Sequence, residues 1–182
     1  MINISITGKT TKRTGFTIVE LLIVIVVIGI LAAITIVAFN GIQHRGRDAQ
    51  RKSDIANITK ALELYYIDNG QFPAAGGSTA INSSWSTTAD ASWQNFRTAI
   101  ATYMKSVPTD PSNTSGVSAS GGSGYTYDYF QFQNSAYCGS TAGQGYLLIY
   151  RLAASSQQNN LIGNCTGTPV GPYAASNYRV VK

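Results

Sequence analysis

Glu20 is the one acid in the first 47 residues, and it stands at the head of an apolar run. From Leu21 to Ile34, fourteen residues carry no polar side chain. A carboxylate at the start of a membrane-spanning helix costs several kcal/mol if nothing pairs with it. The chemistry open to Glu20 is therefore ion pairing. A simple membrane anchor has no use for such a residue, whereas a helix that meets a cation inside the membrane does. A free amine at Phe16, made by cutting the chain after Gly15, would supply that cation from a neighbouring subunit.

Elsewhere the chemistry-bearing residues are sparse. Two cysteines and one histidine exclude a multi-ligand Cys/His zinc site, and two cysteines allow one bridge at most. His44 lies beside Arg45 and Arg47 and reads as a solvated residue just past the apolar run. With no second histidine and no nearby carboxylate pair, general acid–base catalysis has nothing to work with. No Gly-x-Ser-x-Gly elbow is present, so neither an enzyme nor a cofactor is expected. Arg45, Arg47, Arg51 and Lys52 form a basic cluster within two helical turns. It suits anionic lipid head groups, at about 1 kcal/mol per charge, or salt bridges to neighbouring subunits, with DNA as the weaker reading. The formal charge of +5 leans the same way only slightly. Without Lys9, Lys12 and Arg13, thirteen Lys/Arg fall to ten against eight Asp/Glu.

These residues need elements to position them. Residues 16–39 would make a helix about 36 Å long, enough to cross a hydrocarbon core of roughly 30 Å. The basic residues before it fit a cytoplasmic N-terminus, and those after it weaken that orientation. A plain signal-anchor is the alternative, since no A-x-A-type site ends the stretch. Asn40-Gly41 is a weak point for a helix and marks a kink or a stop. Beyond it Ile55, Ile58, Leu62 and Tyr65 form one apolar stripe, with Asp54, Lys60, Glu63 and Asp68 off it. Asn69-Gly70 and Pro73 end the helix. Helix Phe16–Asn69 would reach about 81 Å, too long for one small domain to bury. Residues 74–93 read as a loop, Ser92 to Lys105 as a short helix with Phe96, Ile100, Tyr103 and Met104 inward, and 112–124 as a Ser/Gly-rich loop. Three strands are expected: one on the alternation of Tyr125, Tyr127 and Tyr129, one over Tyr146 to Leu152, and one over Tyr178 to Val181.

Gly15-Phe16-Thr17-Ile18-Val19-Glu20-Leu21-Leu22-Ile23, after a short basic leader, resembles the processing site of type IV prepilins and type II secretion pseudopilins. Arg47 through Ile55, Asp68-Asn69-Gly70-Gln71-Phe72-Pro73 and Val107-Pro108-Thr109-Asp110-Pro111 are similar to the major pseudopilin and Gram-positive pilin subgroup. The resemblance implies an α+β, pilin-like fold. A long N-terminal helical spine, transmembrane in its first half, carries a small antiparallel β-sheet head packed on its second half. The implied parts are a leader (1–15), a membrane half of the spine (16–39), an amphipathic half (40–72) and an extracytoplasmic head (73–182). A prepilin peptidase would cut between Gly15 and Phe16 and methylate the Phe16 amine, and Glu20 would set the assembly register. The implied partners are that peptidase, an inner-membrane assembly platform, cytoplasmic membrane lipid before assembly, and other copies in a filament.

In an oxidising compartment Cys138 and Cys165 would bridge, closing a loop of about 28 residues worth roughly 3–4 kcal/mol. The alternative is two free thiols. Secretion pseudopilins of this kind can hold calcium in their loop region. Asp110, Asn113 and Asp128 are the nearby oxygen donors, but calcium takes roughly six to eight and no EF-hand spacing is present. No metal is the first expectation, and calcium near Asp110 and Asp128 the alternative. The resemblance leaves two functions, of which the first is the expectation and the second the alternative. The first is a type IV pilus subunit for adhesion, motility or DNA uptake, favoured by the Cys138–Cys165 loop. The second is a type II secretion pseudopilin for protein export, favoured by the spine and Pro-x-Asp-Pro motifs.

Overall fold

The computed structural model describes residues 15–74, 85–117, 124–132, 141–153 and 177–181. The chain divides into two units, residues 1–40 and 41–182. The helix α1, Ile18–Asn69, contributes to both. In the first unit every described residue is exposed, including Leu21, Leu22, Ile23 and the other large apolar side chains up to Phe39. This part of α1 is long and apolar enough to cross a membrane. An apolar helix without a covering layer of its own chain must find that cover in lipid or in other chains. The helix assignment passes through Asn40 and Gly41, so no stop occurs there.

In the second unit α1 turns amphipathic. Ile55, Ile58 and Leu62 are buried, and Tyr65 packs against the same core. The helix ends where Gly70 takes φ +70° and donates its N–H to the Tyr66 carbonyl at 2.8 Å. A left-handed residue of this kind closes many helices, and glycine adopts it without a Cβ penalty. A strand β1 (Ser86–Thr87) follows, then a short helix α2 (Trp93–Ala99), and strands β2 (Asp128–Gln131), β3 (Tyr146–Tyr150) and β4 (Asn177–Val181). The four strands form one antiparallel sheet in the order β1-β2-β3-β4. Tyr129 sits opposite Leu148, and Leu148 opposite Arg179.

The sheet is a covering layer for the spine. Tyr127, Tyr129, Tyr146, Leu148 and Tyr150 join Ile55, Ile58 and Leu62 in one core, and Trp93, Phe96 and Ile100 close it from the α2 side. Aromatic rings dominate: Phe96 lies 4.4 Å from Tyr129, and Phe72 4.7 Å from Tyr146, centroid to centroid. The Tyr129 hydroxyl is fully buried and donates to the Pro73 carbonyl at 2.6 Å. Burial drives its pKa well above the ordinary tyrosine value.

The α+β, pilin-like layout stands as expected, with differences in detail; β3 ends at Tyr150 rather than Leu152, and β4 starts at Asn177 rather than Tyr178. The helix starts at Ile18, because Thr17 caps it. The helix α2 stops at Ala99, although Ile100 is buried and Met104 still donates to its carbonyl at 2.9 Å. Strand β2 starts at Asp128, not Tyr125. Tyr125 exchanges bonds with Thr114, and Tyr127 with Thr88, so these residues pair with loops before the ladder begins. Strand β1 arises inside the stretch expected as loop. Two residues show no alternation to read, and the Ser92 hydroxyl holds the Thr87 N–H at 2.9 Å.

Candidate functional site

The N-terminal end of α1 is built as a capping box. The Glu20 N–H donates to Thr17 Oγ1 at 3.2 Å, and the Thr17 N–H donates back to Glu20 Oε2 at 2.8 Å. The Thr17 hydroxyl donates to the same oxygen at 2.7 Å. Thr-x-x-Glu is the sequence pattern of this cap, in which each residue satisfies an orphan donor of the other. Glu20 thus sits in the first turn, where the helix dipole favours negative charge. Gly15 and Phe16 lie just outside the helix and are exposed, Phe16 by 88%. Gly15 and Phe16 thus precede the capped first turn that carries Glu20.

A second constellation joins the spine to the head. Arg51, only 1% exposed, makes four hydrogen bonds. Its Nε donates to Asp110 Oδ2 at 2.7 Å and its Nη2 to Asp110 Oδ1 at 3.0 Å, the bidentate fork that suits guanidinium and carboxylate. Nη1 donates to Asp48 Oδ1 at 2.8 Å and Nη2 to Ser112 Oγ at 3.0 Å. The Tyr125 ring lies 4.6 Å from the guanidinium carbon, within cation–π range. Asp48 Oδ1 also accepts the Ala153 N–H at 2.9 Å, which ties the segment after β3 to the spine. Burial works against the charged guanidinium, but Asp110 and then Asp48 outweigh it and hold Arg51 above its ordinary pKa.

One turn along, the Tyr127 hydroxyl donates to Asp54 Oδ2 at 2.8 Å. Burial lifts the Asp54 carboxyl above its ordinary value; the Tyr127 bond opposes this and Asp110 adds to it. Burial first, and then Asp54, push the Tyr127 hydroxyl upward.

This corrects the reading of Arg51 as part of a lipid-facing cluster. Arg45, Arg47 and Lys52 are exposed, as is His44, while Arg51 is turned into the head. A signal for this lies in the spacing. Stepping back from Ile55 and Ile58 along the buried stripe reaches Arg51 and then Asp48, so two charged residues occupy core positions and must be paired. Asp110 and Asp128 are not brought together around a shared site. Asp110 faces Arg51, and Asp128 Oδ1 accepts the hydroxyls of Thr126 (2.8 Å) and Thr87. Cys138 and Cys165 lie outside the described residues.

Comparison with known proteins bears on both constellations. A family model described as the prokaryotic N-terminal methylation motif matches residues 10–36. A second, described as type II secretion system (T2SS), protein G, matches residues 39–143. The chain is similar to the type II secretion system core protein G of Vibrio cholerae serotype O1, 28% identical over 171 residues that cover 94% of this chain and 99% of the relative. It is 28% identical over 102 residues to the protein of that name from Aeromonas hydrophila, covering 55% of this chain and 68% of the relative. The protein of that name from Escherichia coli is 36% identical over 64 residues, covering 35% and 44%. No solved structure matches.

Proposed function

The chain belongs to the type II secretion system protein G family, and from that premise we propose that it is a pseudopilin. In this reading it is the structural, non-catalytic subunit of an envelope-spanning filament that serves protein export. The comparisons favour this over the pilus subunit that the cysteine spacing suggested. The observation that carries it is the family match over residues 39–143. That match spans the second half of α1 and the head through β2, and includes both Arg51 and Asp110.

The proposed sequence of events uses this chain's own groups. The precursor sits in the bacterial cytoplasmic membrane with its N-terminus inside. A prepilin peptidase cuts between Gly15 and Phe16 and methylates the new amine. The exposed apolar helix then passes from lipid to neighbouring helices at an inner-membrane assembly platform. Lipid and protein interiors are equally apolar, so close packing drives this transfer, and Gly29, Ala32 and Ala33 allow close approach. Glu20 Oε2 is held by Thr17, while Oε1 takes no hydrogen bond among the described residues. It is the oxygen that would receive the Phe16 amine of the next subunit and set the register. A Cys138–Cys165 bridge would close the outer loop of the head.

The test is to image cells at native expression and analyse sheared and envelope fractions by mass spectrometry. An N-methylated Phe16 peptide confined to the envelope, with secretion lost on deletion, is the expected result. The same peptide dominating sheared surface filaments would return the pilus reading. An uncut N-terminus would remove the processing step altogether.

A further inference from the structure

Secretion pseudopilins that this chain resembles can hold calcium in the head's loop region, but the residues here do not fit such an ion. All eight Asp and Glu residues of the chain lie among the described residues. Beyond the spine there are three: Asp90, Asp110 and Asp128. Asp110 has both oxygens taken, Oδ2 by Arg51 and Oδ1 by Arg51 and the Ser112 N–H at 2.7 Å. Asp128 is fully buried and spends Oδ1 on two threonine hydroxyls. Asp90 gives Oδ1 to the Ser92 N–H at 2.8 Å, and its Oδ2 is buried with no hydrogen-bond partner among the described residues. Among those residues no three His, Cys, Asp or Glu side chains gather. Calcium gathers roughly six to eight oxygens, charged carboxylates among them, and the head's three acids are committed one by one to separate partners rather than turned toward one centre.

A divalent ion in a loop draws oxygens from separate segments around one positive centre. Arg51 already does this. It draws in Asp48 from the spine, Asp110 and Ser112 from the loop after α2, and the Tyr125 ring from the approach to β2. Through Asp48 it also holds Ala153 beyond β3. We propose that the Arg51 guanidinium is the resident cation of the head, standing where a divalent ion would otherwise be needed, and that the head folds and holds together without calcium. A guanidinium stays protonated at any working pH. Unlike a bound ion, it cannot be drawn off by a chelator. Calcium entering at Asp110 would have to displace a buried, four-bonded cation and then sit beside it. This inference is independent of whether the filament serves secretion or display.

The test follows thermal unfolding of the detergent-solubilised full chain through tryptophan fluorescence. Trp85 and Trp93 are both buried, and the Trp93 Nε1 donates to the Pro108 carbonyl beside the loop in question. A site filled at a hundredfold its Kd would raise Tm by about 5–10 °C in a domain of this size. The expected result is one Tm in excess EDTA and in millimolar calcium. A Tm that falls with EDTA or rises with calcium by several degrees overturns the proposal. If Asp90→Asn abolishes that rise, the ion sits at Asp90. Arg51→Lys keeps the charge without the fork, and should unfold earlier yet remain insensitive to calcium. Arg51→Ala leaves Asp48 and Asp110 with no cation between them, so calcium should now raise its Tm, and adding Asp110→Asn should remove that gain. An Arg51→Ala chain as stable as the wild type, or as indifferent to calcium, counts against Arg51 as the resident cation. Should Arg51→Ala not fold, the wild-type and Arg51→Lys arms still decide.

Discussion

The buried Arg51–Asp110 pair makes a quantitative demand that a double-mutant cycle can meet or refuse. Arg51→Met removes four hydrogen bonds, three of them to carboxylates, and strands Asp110 and part of Asp48. Asp110→Leu strands the guanidinium against Asp48 alone. Breaking a buried pair by deleting one partner costs about 3–5 kcal/mol, because the other charge stays buried. The single changes, if independent, would therefore sum to about 6–10 kcal/mol. The double variant leaves neither of these two charges unpaired, and Asp48 keeps the Ala153 N–H. It should cost no more than either single change, which makes the coupling about 3 kcal/mol or more. Urea unfolding read by Trp93 reports on this loop directly. With a slope of about 2 kcal/mol per molar, each single change should move the midpoint by roughly 2 M. Additivity of the two changes to within about 0.5 kcal/mol, or singles costing less than about 1 kcal/mol as at an exposed pair, would refute the reasoning.

Four further outcomes are expected. Asp54 has a folded pKa raised above its ordinary 3.8, so its carboxyl favours folding when protonated and loses that contribution as pH rises through the folded value. Asp54→Asn, which keeps an acceptor for Tyr127, should therefore be at least as stable as wild type at neutral pH. Its advantage should shrink as pH falls toward 3.8, and a pH-independent difference in unfolding free energy would contradict the assignment. Gly143 holds φ +77°, and a Cβ there would meet Gln71 Oε1 at 3.3 Å; Gly143→Ala should cost about 1–2 kcal/mol by urea unfolding, and an unchanged midpoint would argue against strain. Glu20→Ala should leave cleavage after Gly15 intact on an immunoblot but abolish filament assembly, whereas Gly15→Val should block cleavage. Normal filaments from Glu20→Ala would sink the register idea, and a mature-sized band from Gly15→Val would sink the cleavage site.

Much of the fold is local, and local features are readable in a chain. The apolar block from Phe16 to Phe39 needs no tertiary partner to be recognised, because its composition alone demands cover. Thr17-x-x-Glu20 is both the start signal of α1 and the setting of its one carboxylate, since a capping box acts across three residues. Asn69-Gly70 ends the helix through one residue's backbone freedom. The stripe Ile55, Ile58, Leu62 follows from helical period, β2 from the tyrosine alternation beside it, and β3 from an apolar, aromatic run of strand length. The residue types alone also left two functions open, because the processing motif belongs to pilins and pseudopilins alike, while the cysteine pair leaned to the first and the spine motifs to the second.

What the chain alone could not disclose are the pairings between distant segments. Arg51 and Asp110 are separated by 59 positions, and as single residues each reads as solvated or as a ligand. Only the return of the loop after α2 to the spine brings them together and makes them a buried pair. The same holds for Asp54 with Tyr127, for Thr87 with Asp128, and for the two-residue strand β1 that their contact pins. Helix, cap and membrane run are determined by neighbours within a few residues, so the sequence by itself decided them. The fate of a charged side chain depends on which surface folds over it, and that was decided only when the head closed on the spine.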